Sequence, residues 1–420
     1  MLKKLVKIAV IGGTLLGMAA GANAAEININ VYGASAQYTF WNAASGEFLK
    51  DQGCADADIS TATDSGGKHG ITRCSDLSGD TVYIRYSSKA SYDGIRSVQG
   101  LDPDGVASGD GCEVDERMMA DETTVDWGAG TVTSLACKDV TIGASDVAAE
   151  TFGQASSGAI KGPAGGDDEE RNIYNITMDD SYNVYRPIVV PFAFFRNANP
   201  TTPVPFDNMS RLMATAIFSG QVTNWNQFDP TKASVPVVVC MRHAGSGTHA
   251  TLDAAVMRGD YNLMSTEALP GSAPVIANLK PVTYFNDGSS DEMRCVGGGT
   301  IDSYDGIGAV GYADADKVVM DPVSGEYHNA SKYGDVKLMT WQGEAAVKNN
   351  IINGKYDFWS AQWLYAAPDE STEVQALIDA LADFASDATN LALTGKDEYW
   401  AAQDEMMVEK INDFSYPSFK

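Results

Sequence analysis

Two uninterrupted apolar runs constrain the fold of this chain more than any other feature. Residues 188–195 read IVVPFAFF and residues 235–240 read VPVVVC, with no alternation between apolar and polar positions. Strands of this kind are buried on both faces, as in a parallel sheet covered by helices. The second run leads into the glycine-rich loop Arg242–Thr248 and then into the helical pattern ATLDAAVM. This order of strand, loop and helix is half of a βαβ unit and predicts an α/β protein.

Outside these two runs, weaker sequence patterns predict one strand, one helix and two loops. Residues 81–86 (TVYIRY) are rich in strand-forming residues, and residues 373–384 (EVQALIDALADF) have apolar residues at helical spacing. By contrast, residues 54–80 are rich in Gly, Ser and Asp and are predicted to be a loop. Residues 102–116 are equally rich in Gly and carboxylates. They do not match the EF-hand pattern, so a solvated acidic loop is favoured over a calcium site.

Length and charge exclude several classes of function. The chain has 420 residues, which favours two domains or a two-lobed body over one compact domain. It contains 29 Lys and Arg against 56 Asp and Glu, a formal net charge of −27. No basic face for nucleic acid is evident, and an acidic protein binds anionic membranes poorly. We therefore expect neither a nucleic-acid partner nor peripheral membrane binding.

Residues 1–25 are predicted to be a cleaved signal peptide. Three Lys precede a short apolar stretch at residues 8–16, and Ala22 and Ala24 fit the small-residue pattern of a cleavage site. The apolar stretch is shorter than the ~20 residues that a membrane-spanning helix needs. Cleavage would change the net charge from −27 to −30, since it removes three Lys and no acid. The mature protein is predicted to be soluble and periplasmic or secreted, without a lipid anchor.

Six cysteines in an exported chain indicate disulfides. Six cysteines allow 15 pairings. Their order along the chain suggests, as a hypothesis, that neighbours pair. A metal site is the alternative, but the sequence has no C-x-x-C motif and four His. The predicted pairs are Cys54–Cys74, Cys112–Cys137 and Cys240–Cys295.

The loop Arg242–Thr248 has the composition of an anion site. A glycine-rich turn that enters a helix directs backbone N–H groups, which lack helical partners, toward one point. Ser246 and Thr248 add hydroxyl groups, and Arg242 adds a planar fork of donors suited to an oxyanion. The alternative interpretation is an ordinary capped helix beside a surface Arg.

Motifs of catalysis are missing from the same loop. No Lys follows Gly247, as a Walker loop requires, and Ser246 lacks the flanking glycines of a nucleophile elbow. His243 and His249 flank the loop, but no nucleophile–base pair or metal-ligand spacing accompanies them. The chain is therefore predicted not to be an enzyme and to use neither a cofactor nor a metal.

Six short segments occur in a fixed order along the chain: GASAQY (33–38), YSSKASYDGIR (86–96), VTIGASD (140–146), IFSGQVTNWN (217–226), RHAGSGT (242–248) and AVGY (309–312). These segments and their order resemble those of the periplasmic phosphate-binding proteins of bacterial phosphate ABC importers. The likeness covers about residues 28–320, with insertions at about 45–80 and 99–137 that the family pattern lacks.

The resemblance implies a two-lobed periplasmic binding protein fold of the class II type, with the ligand in a cleft between two α/β lobes. Lobe 1 would comprise residues 26–188 and 319–420, and lobe 2 residues 189–318. The chain would cross between the lobes twice, and cleft closure would be a hinge motion. The implied function is the capture of phosphate or a similar oxyanion, by a monomer, for an ABC permease at the inner membrane.

The resemblance also implies a set of ligand-binding residues by position. An ionised Asp146 can only accept a hydrogen bond, so it would favour protonated phosphate over fully ionised sulfate. Without the resemblance, Asp146 is better explained as a turn or helix cap. The implied residues are Gln37 and Tyr38 through backbone donors, together with Ser91, Asp146, Arg242, Ser246, Gly247 and Thr248.

Two departures from the family pattern leave the identity of the oxyanion open. Ala244 stands where the family has an Asp that orients the Arg, and Gln37 stands where the family has Thr or Ser. An alternative function is an extracellular interaction or scaffold protein built on the same fold, which the disulfide-bearing insertions favour. A phosphatase is a third possibility, but it would need an activated nucleophile or a metal cage.

Overall fold

The computed structural model describes residues 25–101, 111–152, 176–243, 245–258, 281–299, 304–318 and 330–420. The predicted signal peptide up to residue 24, most of the acidic loop at 102–116, and Ala244 lie outside the described residues. In the part of the chain that is described, no helix combines the length and the apolar character that crossing a membrane requires.

The described elements alternate between strands and helices along most of the chain. The strands are β1 (Glu26–Gly33), β2 (Ile59–Thr63), β3 (His69–Leu77), β4 (Asp80–Ser88), β5 (Glu116–Ala120), β6 (Leu135–Asp139), β7 (Ile142–Ser145), β8 (Asn183–Tyr185), β9 (Ile188–Asn197), β10 (Asn208–Met209), β11 (Val238–Arg242), β12 (Val282–Asn286), β13 (Ala309–Asp314), β14 (Val336–Leu338), β15 (Thr340–Trp341), β16 (Trp359–Ala361), β17 (Trp363–Ala366), β18 (Ala401–Ala402), β19 (Val408–Glu409) and β20 (Ser418–Phe419). The helices are α1 (Tyr38–Asp51), α2 (Ser91–Val98), α3 (Arg211–Phe218), α4 (Gly247–Thr251), α5 (Ser289–Gly297), α6 (Ala330–Tyr333), α7 (Lys348–Ile352), α8 (Thr372–Ala385) and α9 (Ala388–Ala392). A π-helical segment, Leu252–Met257, continues α4.

The first sheet has the strand order β2-β3-β4-β1-β7-β17-β8. Its centre is parallel, because β1 pairs in parallel with both β4 and β7. The prediction of a loop at residues 54–80 is wrong, since β2 and β3 form there and extend the sheet antiparallel to β4. The runs ISTAT and HGITRC supply β-branched residues, and pairing with β4 satisfies their backbone groups.

The second sheet has the order β12-β11-β13-β9-β14. β11 pairs in parallel with β12 and β13, and β9 runs antiparallel to β13. All ten residues of β9 are buried, which confirms the prediction from the apolar run at 188–195. β11 begins three residues later than the run at 235–240 indicated. The α/β fold with two sheets, one for each lobe, is therefore confirmed.

The chain passes between the two sheets along two adjacent segments. β8 belongs to the first sheet and β9 to the second; on the return, β16 pairs with β9 and β17 pairs with β7 and β8. Between them, the Gln362 N–H donates to the carbonyl oxygen of Ile188 at 2.8 Å. The two crossings are thus paired and antiparallel, as expected of a hinge that bends as one unit.

The second sheet continues beyond residue 318, where lobe 2 is expected to end. β14, at 336–338, still pairs with β9 in the second sheet. The chain re-enters the first sheet only at β17. The physical reason is that β9 is long enough to accept partners on both of its sides, so β14 covers an edge that β13 leaves open.

Three disulfides confirm the pairing of neighbours along the chain. Cys54–Cys74 ties the end of α1 to β3, Cys112–Cys137 ties the second insertion to β6, and Cys240–Cys295 ties β11 to α5. No free cysteine occurs in the described residues, which contain all six. Glu116 lies close to Cys112 and Cys137, but sulfurs bonded to each other are not thiolate ligands for a metal.

Candidate functional site

The predicted site residues follow the carboxyl ends of strands in both sheets. In the first sheet, β4 leads to α2, which starts at Ser91, and β7 leads directly to Asp146. In the second sheet, β11 ends at Arg242 and leads to α4, which starts at Gly247. Ligands of open α/β sheets bind beyond these strand ends. The topology therefore brings the two groups of residues to facing edges.

Gly247 makes the closest approach between the two groups. A Cβ atom at Gly247 would lie 2.1 Å from the Ser91 Oγ and 2.7 Å from the Asp146 Oδ2, so only glycine fits. Beside it, the Tyr92 N–H donates to the carbonyl oxygen of Gly245 at 3.2 Å. The N-termini of α2 and α4 thus meet across the two sheets, and Ser91, Asp146 and Gly247 form one cluster.

Asp146 is fixed by its backbone and leaves one carboxylate oxygen without a partner. Its N–H donates to the Ser91 Oγ at 3.0 Å, and its carbonyl oxygen accepts from the Ser360 hydroxyl on β16. The side chain is 1% exposed, and Oδ1 accepts no hydrogen bond from the described residues. A buried carboxylate oxygen of this kind is unfavourable unless a ligand group supplies the missing donor.

Ser246 and Thr248 lie at the start of α4 with different roles. The Ser246 Oγ accepts from the His249 N–H at 3.5 Å and caps the helix. The Thr248 side chain is fully buried, and its Oγ1 has no hydrogen-bond partner within the described ranges. Gly247 thus lies beside two side chains with an unpartnered polar atom: Thr248 (Oγ1), which follows it in the chain, and Asp146 (Oδ1), which approaches it from the first sheet.

Burial dominates the electrostatics of Asp146. The pKa of the carboxyl is raised from 3.8 to about 7, chiefly by burial and then by the nearby Asp314 carboxylate. The positive charges of Arg242 and Lys317 and the hydrogen bond with Ser91 lower this pKa and oppose the effect. Asp146 can therefore exist in either protonation state near neutral pH.

Arg242 is oriented differently from what the loop composition suggested. Its Nε and Nη2 donate to the carbonyl oxygen of Asp287 at 3.0 and 2.7 Å, and Nη1 donates to the Ser289 Oγ at 2.7 Å. The side chain is 1% exposed. The fork of donors is therefore bound to the start of α5, and Arg242 acts on Asp146 through its charge.

Gln37 also departs from its predicted role. Its backbone N–H donates to the Ala34 carbonyl oxygen at 3.3 Å within a tight turn, so this donor is engaged inside the protein. Its side chain accepts from the Trp41 Nε1 and donates to the carbonyl oxygen of Ser145. Gln37 thus fixes the residue before Asp146. Tyr38 is the first residue of α1, where backbone N–H groups lack helical partners.

Sequence reasoning missed two groups around the site. Asp314, at the end of β13, forms a buried ion pair with Lys317 at 2.7 Å, and both charges act on Asp146. The sequence pattern that could have indicated this ion pair is a Lys three residues after an Asp. Ser360 on the return crossing was also missed, because nothing in a single serine indicates a contact with a residue more than 200 positions earlier.

His249, which follows the glycine-rich loop, is held by a tyrosine. His249 is buried, and its Nδ1 lies 2.7 Å from the Tyr312 hydroxyl. Burial, and then the positive charge of the Arg242 guanidinium, lower the pKa of His249 to about 3. A neutral imidazole held by a tyrosine does not activate Ser246 or Thr248 as a nucleophile.

This chain is similar to one protein-family model and to several solved structures. Residues 188–388 match the model of the PBP superfamily domain. A solved structure of an ABC-type phosphate transport receptor from Vibrio cholerae is 12% identical with a TM-score of 0.46, covering 88% of this chain and 98% of that one. A putative phosphate ABC transporter substrate-binding protein with bound phosphate from Clostridium perfringens is 13% identical with a TM-score of 0.45, covering 89% and 99%.

A third solved structure is the high affinity periplasmic phosphate-binding protein PfluDING bound with phosphate, which is 14% identical with a TM-score of 0.46 and covers 89% of this chain and 90% of that one. The matched domain begins at the first residue of β9 and includes the second sheet, the return crossing and α8. Residues 188–388 of this chain are therefore similar to a PBP superfamily domain.

Proposed function

We propose that this protein binds phosphate or a similar tetrahedral oxyanion between its two lobes, at the cluster formed by Ser91, Asp146, Gly247 and Thr248. The observation that carries the proposal is the pair of buried, unpartnered polar atoms, the Asp146 Oδ1 and the Thr248 Oγ1, beside the starts of α2 and α4. An oxyanion that carries one proton would satisfy both, because it accepts from a hydroxyl and donates to a carboxylate.

Backbone and hydroxyl donors supply most of the binding energy in this proposal. The first N–H groups of α2 and of the continuous helical segment 247–257 have no helical partner; those of Tyr92 and His249 donate to Gly245 and Ser246, and the others are available to an anion in this proposal. Both helix dipoles are positive at these ends. Ser91 and Thr248 add hydroxyl groups. Arg242 contributes its charge, since each of the three guanidinium nitrogen atoms already donates a hydrogen bond to Asp287 or Ser289.

Asp146 sets the choice of anion. When ionised, it accepts the proton of hydrogen phosphate and repels sulfate, which has no proton to donate. Its raised pKa, about 7, means that a protonated Asp146 also donates to a dianion at lower pH. Discrimination against sulfate should therefore weaken as the pH falls below neutrality.

In this proposal the protein is an exported, monomeric solute-binding protein that delivers its ligand to an ABC permease and catalyses no reaction. The PBP superfamily domain and the resemblance of six ordered sequence segments to phosphate-binding proteins support this role. Calorimetry with phosphate, arsenate and sulfate on refolded, ligand-free protein tests it. We expect saturable heat with phosphate at one site per chain. No heat with any of the three anions would end the proposal.

An interaction or scaffold role is the second candidate. It is favoured by exposed apolar side chains near the C-terminus, among which Ile411 is 82% exposed and Phe419 is 80% exposed. Large exposed apolar side chains that cluster mark protein contacts. Tight binding to another protein, together with the absence of heat from all three oxyanions, would favour this function over anion capture.

A further inference from the structure

The C-terminal residues 408–416, here called the C-terminal strap, contact both lobes next to the proposed site. On the side of the first sheet, the Asp413 Oδ2 accepts from the Ala148 N–H at 2.6 Å and from the Thr151 Oγ1 at 2.9 Å. Ala148 lies two residues after Asp146. Asp413 therefore holds the segment that carries the proposed anion-selecting carboxylate.

The other contacts of the strap reach the second sheet and its helix. The Arg258 Nη1 donates to the Phe414 carbonyl oxygen at 2.8 Å, and its guanidinium lies 3.5 Å from the centre of the Tyr416 ring. Arg258 directly follows the π-helical segment that continues α4. The far end of the helical segment that begins at Gly247 is thus bound to the strap.

A third set of contacts joins the strap to the return crossing. The Lys410 ammonium donates to the carbonyl oxygen of Asp357 at 2.9 Å and to that of Trp359 on β16. From the same crossing, the Ser360 hydroxyl donates to the Asp146 carbonyl oxygen, and the Tyr365 hydroxyl accepts from the Ala149 N–H at 2.9 Å. The segment after Asp146 is therefore held both by Asp413 of the strap and by Tyr365 of the return crossing, and Lys410 joins the strap to that crossing.

We propose that Asp413 is a positioning residue for Asp146, and that the C-terminal strap fixes the distance between Asp146 and the start of α4. This inference rests on the proposed function for its effect on affinity. In this arrangement Asp413 does not contact the bound anion. Asp413 acts by satisfying the Ala148 N–H and the Thr151 hydroxyl, while Arg258 holds the opposite end of the strap on the second lobe.

Because Asp413 is buried, its replacement is expected to affect the segment that it holds. Its side chain is 6% exposed, so its removal leaves the Ala148 N–H without a hydrogen-bond partner in a buried place. An Asn at this position keeps a carbonyl oxygen that accepts both hydrogen bonds. Asp404, on the same C-terminal segment, is exposed and provides a matched control for the loss of a carboxylate.

The experiment compares the wild type with Asp413→Ala, Asp413→Asn and Asp404→Ala. Phosphate affinity is measured by calorimetry, and hydrogen exchange is measured in peptides that span residues 146–152 and 245–252. For Asp413→Ala we expect at least tenfold weaker phosphate binding and faster exchange in both peptides. Asp413→Asn should recover most of both properties, and Asp404→Ala should match the wild type.

The exchange data separate this inference from the proposed function. If the wild type binds phosphate and Asp413→Ala binds it within twofold of the wild type, the positioning role is overturned. If no variant binds phosphate, the proposed function fails, and faster exchange in the 245–252 peptide of Asp413→Ala still supports the link between the lobes. Exchange that changes only in the 146–152 peptide overturns that link.

Discussion

Ser91 and Gly247 begin helices that follow strands of different sheets. They are so close that a Cβ atom on Gly247 would lie 2.1 Å from the Ser91 hydroxyl oxygen. The approach brings together the N-termini of α2 and α4, and the buried carboxylate of Asp146 lies beside them. A site with one carboxylate and several backbone donors can bind an anion in a protein of strongly negative charge, because helix N-termini act over short distances.

Gly247→Ala tests this contact. The added methyl group would meet both Ser91 and Asp146, so the lobes could not reach the same separation. Overpacking of this kind costs about 1–3 kcal/mol, which corresponds to roughly 5- to 150-fold weaker phosphate binding. Calorimetry measures the loss.

Gly46→Ala is the matched control for this substitution. Gly46 lies inside α1, and a Cβ atom there would make ordinary contacts at 3.8 Å with Ile59 and Thr61. Its phosphate affinity should equal that of the wild type, and its stability should not fall, since alanine favours helix more than glycine. Equal phosphate affinity of Gly247→Ala and the wild type would contradict the lobe contact.

Asp146→Asn should weaken discrimination between phosphate and sulfate. The amide of Asn can donate to a sulfate oxygen, whereas the ionised carboxylate of the wild type repels it. We expect the ratio of the two dissociation constants to shrink by at least tenfold at pH 8, where the wild-type carboxyl is mostly ionised. An unchanged ratio refutes the role assigned to Asp146.

The same substitution should change how stability depends on pH. The pKa of Asp146 is raised from 3.8 to about 7 in the folded protein, chiefly by burial and then by Asp314, against the effects of Arg242, Ser91 and Lys317. Between these values the folded state binds more protons than the unfolded state, so ionisation lowers stability as the pH rises. Relative to the wild type, Asp146→Asn should gain a few kcal/mol between about pH 4 and pH 7.

Urea unfolding of both proteins across this pH range measures the difference. The free energy of unfolding of the two proteins should diverge up to about pH 7 and run parallel above it. Parallel curves over the whole range would show that Asp146 titrates at its ordinary pKa in the folded protein.

Arg242→Lys and Arg242→Met separate the charge of Arg242 from its hydrogen bonds. Both variants lose the fork that binds Asp287 and Ser289, so both should lose about 2 kcal/mol of stability. If charge is the main contribution to binding, Lys should retain phosphate affinity within tenfold and Met should not. Equal loss of affinity in the two variants would indicate that the guanidinium contacts the anion directly.

The disulfides should differ in their contribution to stability. Cys240–Cys295 closes a sequence separation of 55 and Cys54–Cys74 one of 20. Loop-closure entropy predicts losses of about 4 and about 3 kcal/mol when each pair is replaced by alanine. Thermal unfolding of the two double variants measures this order. A larger loss for Cys54 and Cys74 would contradict it.

The sequence predicts the framework of this protein better than its interlobe contacts. The continuous apolar run at β9 and the glycine-rich loop after β11 depend on local patterns, and the neighbouring order of the cysteines matches their pairing. β2 and β3 were missed because their stability comes from pairing with β4 rather than from composition.

The parts of the site that escaped prediction depend on distant partners. The direction of the Arg242 guanidinium is set by the start of α5, more than 40 residues later. The Gln37 N–H is engaged by a turn that its own sequence does not specify. Asp413 touches the Asp146 segment across a separation of more than 260 residues, and a single carboxylate gives no local signal of such a contact.

Native mass spectrometry of the wild type and Gly247→Ala, both refolded and then incubated with phosphate, tests directly for an oxyanion site at this contact. We expect one phosphate bound per chain in the wild type and none in the variant at the same phosphate concentration. Phosphate bound equally by both proteins, or by neither, would contradict an oxyanion site at the contact between Ser91 and Gly247.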